Sequence, residues 1–589
     1  MKNAWIYFSI SRIRLRYNYC IVSHRQEKKA ETVQQRYRQL QQWVMMIILG
    51  SFLSTMALHA TQQAFEEHAT EVIYNSLKGH PTQSFLTRFY KRLLFLPAWM
   101  HEKGPSPAAK ALFSVMKEDA TLDPLSTLYR DVRLYSSEAP KLYTQQSTFL
   151  QKMEMEFRIS LLYKAYVDYA YFGSINWGAF QARISNLKVN GVSTEWELHR
   201  PNVDPIGMVE KAILGADMKR ELLHAVPTAY HYRSLQNALV HYMHIREKGG
   251  WKRVVLQSKR LDPGKRDRGV YALRARLQAT KDYVGCSDSA EDDRYDSCLV
   301  EAVRHFQERN GLTPDGVVGP ATLRTLNISV EDRITTIRLN LDRIKWLNPR
   351  QPHRHIIINI PFFTLYFEQD GKLIQSMRVI TGKPDHPTPI FSDEVEMIVL
   401  NPYWNVPKSI VQKEMIPKLM RNPYALKRQG IEIYSGWGKD AKKVDPATVN
   451  WAQYRYSKHL PYRFAQPPGR KNALGKVKFL FPNRFSVYMH DTPTKPLFKR
   501  DKRAFSHGCV RLQNPIGLLR TFASFEPNVS FEKAEQILEG KKNVYLRLKE
   551  KIPVDIIYLT AWVDYDGQLQ FRDDVYHYDR MQLRSYKRW

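Results

Sequence analysis

The stretch WVMMIILGSFLSTMALHA, 18 residues from Trp43 to Ala60 with no Lys, Arg, Asp or Glu, constrains this chain more than any other. As a helix rising 1.5 Å per residue it reaches about 27 Å, close to the roughly 30 Å of a bilayer core. A lone segment in lipid has to be helical, because its N–H and C=O groups find partners only within the segment. Nine Lys or Arg precede it against Glu27 and Glu31, and Glu66, Glu67 and Glu71 follow it. That asymmetry predicts a basic cytoplasmic tail over 1–42, a transmembrane anchor over 43–60, and everything later outside. The competing reading is a cleaved leader, but a cut after Ala60 leaves Leu58 where a small residue is preferred.

With 589 residues the chain is too long for one hydrophobic core and predicts three or four domains. Its 89 Lys plus Arg against 58 Asp plus Glu, a formal charge of +31, predict attraction to a polyanion. Export argues against nucleic acid and leaves lipid head groups or a carboxylate-rich wall polymer. Four cysteines are too few to build a disulfide scaffold. Helical spacing in Phe85, Phe89, Leu93 and in Leu161, Ala165, Tyr169 predicts an α-helical scaffold domain over 61–250.

Residues 269–327 read as helices around a loop in which Asn310 and Gly311 end one helix and Pro320 starts the next. The pattern of FQ at 306–307, the loop GLTPDGVVGPAT and the closing LRTLN resembles the three-helix peptidoglycan-binding domain. Cys286 and Cys298, 12 apart in the polar insert of this segment, are a disulfide candidate. Closing such a loop is worth about 3 kcal/mol. No second Cys or His pair stands nearby at metal spacing, so no metal site is expected.

From His353 the texture turns to strands, with a hairpin at Asp370-Gly371 and further runs at 394–401, 477–481, 485–490, 543–548 and 554–563. Residues 406–475 interrupt this pattern as a cap insertion in a domain spanning 353–563, and 564–589 read as a C-terminal tail. The fold class is therefore α+β multidomain: anchor, helical scaffold, three-helix domain and β-rich C-terminal domain.

The chemistry is carried by Ser506-His507-Gly508-Cys509-Val510-Arg511, preceded by Tyr488-Met489-His490-Asp491. A thiol that attacks an acyl carbon needs a base, a fixed orientation for that base, and donors aimed at the developing oxyanion. His490, at the end of a strand, is the candidate base, and Cys509 follows it by 19 residues. Gly508 permits a tight turn in which the N–H groups of His507, Gly508 and Cys509 converge as an oxyanion hole. Arg511 is placed to hold a substrate carboxylate. No cofactor is needed, since the thiolate supplies the nucleophile and backbone dipoles the electrophilic help.

These residues resemble the L,D-transpeptidase family with the YkuD-type catalytic domain. NPYWNVPKSI at 401–410 and QPPGRKNALGKVKF at 466–479 extend the likeness to its large periplasmic subclass. The resemblance implies that Cys509 attacks the carbonyl of the third stem-peptide residue, releases the terminal D-alanine, and passes the acyl group to a second stem as a 3-3 cross-link. It further implies that His490 accepts and later returns a proton while the backbone carbonyl of Asp491 orients it. Trp404, Asn472 and Tyr488 lie in matching motifs and are candidate substrate contacts. The implied partners are peptidoglycan stem peptides, the bacterial inner membrane and other wall synthases, with a single-pass anchor and the catalytic part in the periplasm. Alternatives from the same acyl-enzyme are carboxypeptidase action, D-amino-acid exchange and hydrolysis of a wall-to-lipoprotein link. A non-catalytic wall-binding scaffold is the alternative from another class.

Overall fold

The computed structural model describes residues 45–46, 61–144, 147–185, 195–199, 201–215, 217–224, 226–283, 285, 292–348, 352–438 and 440–586. Among them no helix is long and apolar enough to cross a membrane. The expected anchor, apart from Met45 and Met46, lies outside the described residues, as do the basic tail and Cys286. The chain divides into two compact units, 1–109 with 137–160, and 110–136 with 161–589.

In the first unit a buried carboxylate replaces an apolar core contact. Glu156 accepts the N–H groups of Ala98, Trp99 and Met100 at 2.7–2.9 Å and the Tyr90 hydroxyl at 2.8 Å. Burial pushes its carboxyl up to about 7 against these donors.

The second unit carries α1 (Tyr232–Glu247), a three-helix segment of α2 (Val270–Ala279), α3 (Ser297–Arg309) and α4 (Pro320–Leu326), and then α5 (Val330–Lys345). Asp296 caps α3 by accepting Leu299 N–H at 2.8 Å, and Ser329 caps α5 through Asp332 N–H at 3.0 Å. The FQ signature has a structural basis. Phe306 is in the core of the three helices. Gln307, also buried, donates to Asp315 Oδ1, Val317 O and Thr322 Oγ1 and accepts Gly316 N–H, which pins the Asp-Gly loop. Cys298 is disulfide-bonded.

The β-rich part contains β1 (Arg354–Asn359), β2 (Thr364–Gln369), β3 (Lys372–Gly382), β4 (Phe391–Leu400), β5 (Trp404–Asn405), β6 (Glu432–Tyr434), β7 (Arg463–Gln466), β8 (Val477–Leu480), β9 (Met489–His490), β10 (Ala504–Ser506), β11 (Val510–Leu512), β12 (Val544–Ile557), β13 (Ala561–Val563) and β14 (Leu569–Phe571). The main sheet runs β10-β3-β11-β9-β8-β4-β12-β1-β2, and β2 pairs again with β3, so the ring closes. Closure removes the exposed edges of an open sheet. Ile356 and Ile358 point to the barrel core, whereas Ile357 packs with α1 and α5 on the other face. Burial on both faces is why this strand reads as an unbroken apolar run.

Two expectations change here. The run 543–548 and the first part of 554–563 are joined as one strand, β12, with a register shift between Arg547 and Ile552 that absorbs the charged Lys549-Glu550-Lys551, while Ala561–Val563 is a separate strand, β13. The run 485–490 is a strand only at Met489–His490. Ser486 has φ +56, which breaks the extended path, and the Asn483 amide takes over the backbone groups of Phe481, Phe485 and Val487.

Residues 404–466 form a separate small sheet, β5-β7-β6, with their own core around Leu419, Trp451 and Phe464. The helix over 408–421 takes a π turn at Val411–Met415 just before Pro417, which lacks the N–H an α turn requires. The segment after 563 is packed rather than trailing: β14 pairs with β13, and Tyr576 and Tyr578 are buried in the barrel cluster.

Candidate active site

Strand alternation builds the site. Val477, Phe479, Met489, Val510 and Leu512 all belong to the barrel core, so their neighbours in sequence face outward. The register sets Lys478 opposite His490 and His490 opposite Arg511, which places the three side chains in one row across β8, β9 and β11. Because β9 and β11 are parallel, the chain must cross over between them. Residues 491–509 are that crossover, and they account for the spacing between His490 and Cys509.

His490 is buried, and its Nδ1 lies 2.5 Å from the Asp491 carbonyl. A carbonyl only accepts, so Nδ1 carries the proton and Nε2 keeps a lone pair. Burial, reinforced by the positive charge of Arg511, pushes the imidazole down to about 3. The Asp491 carboxylate is turned away, held by Lys476 N–H at 2.8 Å and Lys495 Nζ at 2.7 Å.

Cys509 is half-buried at the entry to β11. Its Sγ lies 3.9 Å from the Ser486 carbonyl, and the backbone N–H and hydroxyl of the neighbouring Tyr488 favour the thiolate. Burial pushes the thiol up; the Tyr488 donors and the charges of Lys478 and Arg511 pull the other way without overcoming it. Lys478 Nζ sits 3.6 Å from the centre of the Tyr488 ring, and that ring lies 5.6 Å from the imidazole. Arg511 Nε is buried without a hydrogen-bond partner among the described residues. The thiol and imidazole thus share the outer face of the barrel. No hydrogen bond joins them among the described residues.

The turn before Cys509 is fixed from three sides. Ser506 Oγ donates to the Cys509 carbonyl at 2.6 Å and accepts Gly508 N–H at 3.1 Å. The Gly508 carbonyl accepts Thr388 Oγ1 at 2.8 Å, and the Tyr576 hydroxyl accepts Thr388 N–H at 3.2 Å while donating to Gly382 O at 2.7 Å. Gly508 has φ +113, a conformation that disfavours any side chain there.

Residues 353–538 match the family model described as "L,D-transpeptidase catalytic domain" (YkuD). The chain carries a YkuD-family domain. Residues 84–239 match the model "Scaffold domain", and 266–326 match "Putative peptidoglycan binding domain". A Haemophilus influenzae protein described as "Putative L,D-transpeptidase" is 33% identical over 228 residues, 39% of this chain and 45% of the relative. The chain therefore matches less than half of that relative's length. The solved structures matched include an L,D-transpeptidase from Stackebrandtia nassauensis, 16% identical, covering 50% of this chain and 94% of that one at a TM-score of 0.21. Another, from Mycobacterium smegmatis, is 13% identical and covers 35% and 58% at a TM-score of 0.17.

Within this YkuD-family domain the structure corrects two assignments. Asn472 is not available to a substrate: its Nδ2 donates to the carbonyls of Pro402, Gln466 and Pro467 at 2.9–3.1 Å, and its Oδ1 accepts Leu474 N–H at 2.8 Å. It clamps the base of the cap. Gly508 N–H is engaged by Ser506 Oγ, so it does not point with its neighbours at a shared anion. The N–H groups of His507 and Cys509 make no hydrogen bond among the described residues. Trp404 pairs with Gln466 in the cap sheet and packs against the cap core. The His507 imidazole bonds Glu414 of the π turn at 2.7 Å and meets His386 edge-on at 5.0 Å.

Lys478 is the residue sequence reasoning missed. Its signal was present in VKFLF, where a lysine alternates with core residues on a strand next to the histidine strand.

Proposed function

We propose that this protein is a cysteine L,D-transpeptidase that forms 3-3 cross-links between peptidoglycan stems, anchored by residues 43–60 in the bacterial inner membrane with its domains in the periplasm. The observation that carries the reading is the row Lys478, His490, Arg511 beside the Cys509 thiol, with the His490 proton fixed on the Asp491 carbonyl. Both reacting groups rest neutral, so attack and proton transfer are coupled. As the Cys509 sulfur bonds to the carbonyl carbon of the third stem residue, its proton moves to His490 Nε2. The N–H groups of Cys509 and His507 receive the oxyanion. The C–N bond to the terminal D-alanine then breaks, and the imidazole returns its proton to the leaving amine. A side-chain amine of a second stem attacks the thioester, gives up its proton through the same imidazole, and restores the thiol. Arg511 holds a donor carboxylate, which also screens the charge that keeps the imidazole a weak base. Tyr488 and Lys478 stabilise the sulfur anion as it forms.

Intact-mass measurement after exposure to a tetrapeptide donor tests the reading. A covalent adduct on the native chain, lost in Cys509→Ala, followed by a cross-linked dimer when an acceptor stem is added, is expected. An adduct that yields only free tripeptide makes the enzyme a hydrolase, and no adduct at all overturns the cysteine mechanism.

A further inference from the structure

Cross-linking by an amine involves one proton more than the His490 cycle carries. A side-chain amine of a second stem reaches the site as an ammonium, since such an amine keeps its third proton up to about pH 10. To become an amide nitrogen it loses two protons. One returns to the Cys509 sulfur through His490, and the other needs a second acceptor. Water attacking the same thioester passes a single proton along that route and needs none.

A second histidine–carboxylate pair stands two residues before the thiol. His507 Nε2 lies 2.7 Å from Glu414 Oε1. An ionised carboxylate only accepts, so Nε2 carries the proton and Nδ1 presents a lone pair. That Nδ1 makes no hydrogen bond among the described residues, and Glu414 pairs with no Lys or Arg among them. Both side chains are open to a substrate, at 33% and 47% exposure. Glu414 belongs to the π turn over Val411–Met415, and such turns occur frequently at functional sites. From the loop after β3, His386 meets the His507 ring edge-on at 5.0 Å, with Asp385 3.4 Å from His386 and 3.3 Å from Lys383. Charge thus divides about the thiol. Arg511, which follows Cys509, and Lys478 make one side cationic, which suits a donor carboxylate and repels an ammonium. His507 precedes Cys509 and brings the Glu414 carboxylate to the other side.

We propose that His507 and Glu414 form a second base, which takes the extra proton from the acceptor ammonium and so favours amine over water at the thioester. The inference rests on the transpeptidase reading above. The ammonium enters beside Glu414 and passes one proton to His507 Nδ1, which leaves a neutral amine and an imidazolium held by the carboxylate. The amine nitrogen then bonds to the thioester carbon. The C–S bond breaks with its electron pair on sulfur, and the second proton of the nitrogen travels through His490 to that sulfur. His507 afterwards returns its proton to solvent.

The test uses the full chain with an isotope-labelled tetrapeptide donor and an unlabelled stem tripeptide as acceptor, and reads by mass the ratio of cross-linked to hydrolysed donor. Both products come from one thioester, so differences in folding or acylation cancel. In neutral buffer the ratio is expected to fall about fivefold in Glu414→Gln and at least as far in His507→Gln. Both deficits close as the pH rises to about 10, where the acceptor arrives already neutral. Hydroxylamine, which is uncharged in neutral buffer, captures the thioester equally well in the native chain and both variants. An unchanged ratio in either variant, a deficit that persists in alkaline buffer, or an equal loss with hydroxylamine overturns the proposal. A native chain that releases D-alanine but yields no cross-link at any pH defeats the transpeptidase reading instead.

Discussion

Arg511 and Arg503 are both guanidinium groups held against the barrel strands, yet their surroundings differ in kind. Arg503 donates to five backbone carbonyls, whereas Arg511 Nε has no partner among the described residues. A buried donor left unsatisfied costs about 1–3 kcal/mol. Arg503 therefore belongs to the framework that ties the 500–503 loop to β3, and Arg511 to a surface awaiting an acceptor. Positive charge and burial alone do not separate the two; saturation of the donors does.

The largest effect that sharpens this contrast is at the row containing Arg511. His490→Ala is expected to slow acylation of Cys509 about 10³-fold, read from the rate of adduct formation by mass, with the melting temperature little changed. Next, Arg511→Gln is expected to lower kcat/KM for a carboxylate-bearing donor about 30- to 100-fold while leaving thermal stability near native. Arg503→Gln is expected to do the reverse. If Arg511→Gln proves silent in catalysis and Arg503→Gln does not, the contrast between them is broken.

The pH profile gives a third handle. Since the folded imidazole titrates at about 3, below the roughly 6.5 of a free histidine, the unfolded chain binds the extra proton first. The stability this group contributes is thus complete above about pH 6.5 and is lost as pH falls toward 3. Acylation rates should show no acid limb near pH 6.5 in the native chain, and in Arg511→Gln the limb should move upward, because a neighbouring cation has been removed. A native limb near 6.5 contradicts the buried, neutral imidazole.

Smaller effects are expected at the cap. Asn472→Ala removes a clamp on four backbone groups and should cost about 2 kcal/mol, seen as a lower melting temperature with the adduct rate per folded molecule retained. Glu414→Gln weakens only a partly exposed contact to His507, worth up to about 1 kcal/mol, and should change turnover no more than a few-fold.

The contrast between the arginines was only half visible in the sequence. Arg511 could be read because it follows Cys509 on an alternating strand. Arg503 lies in a loop without periodicity, and its carbonyl partners come from β3 and the 361–364 turn, which no local pattern announces. The closed ring was hidden for the same reason: alternation marks strands but does not say that β9 and β11 run parallel. Asn472 was misassigned because an amide in a shared motif looks the same whether it faces a ligand or a backbone. Lys478 was legible from period-2 alternation, but only once β8 is known to adjoin β9.

The Tyr576 hydroxyl reaches Gly382 and Thr388, and through Thr388 the Gly508 carbonyl, from beyond the last strand of the main sheet. Anyone trimming this chain to a fragment that stops at Val563 would therefore discard a strut of the cysteine turn.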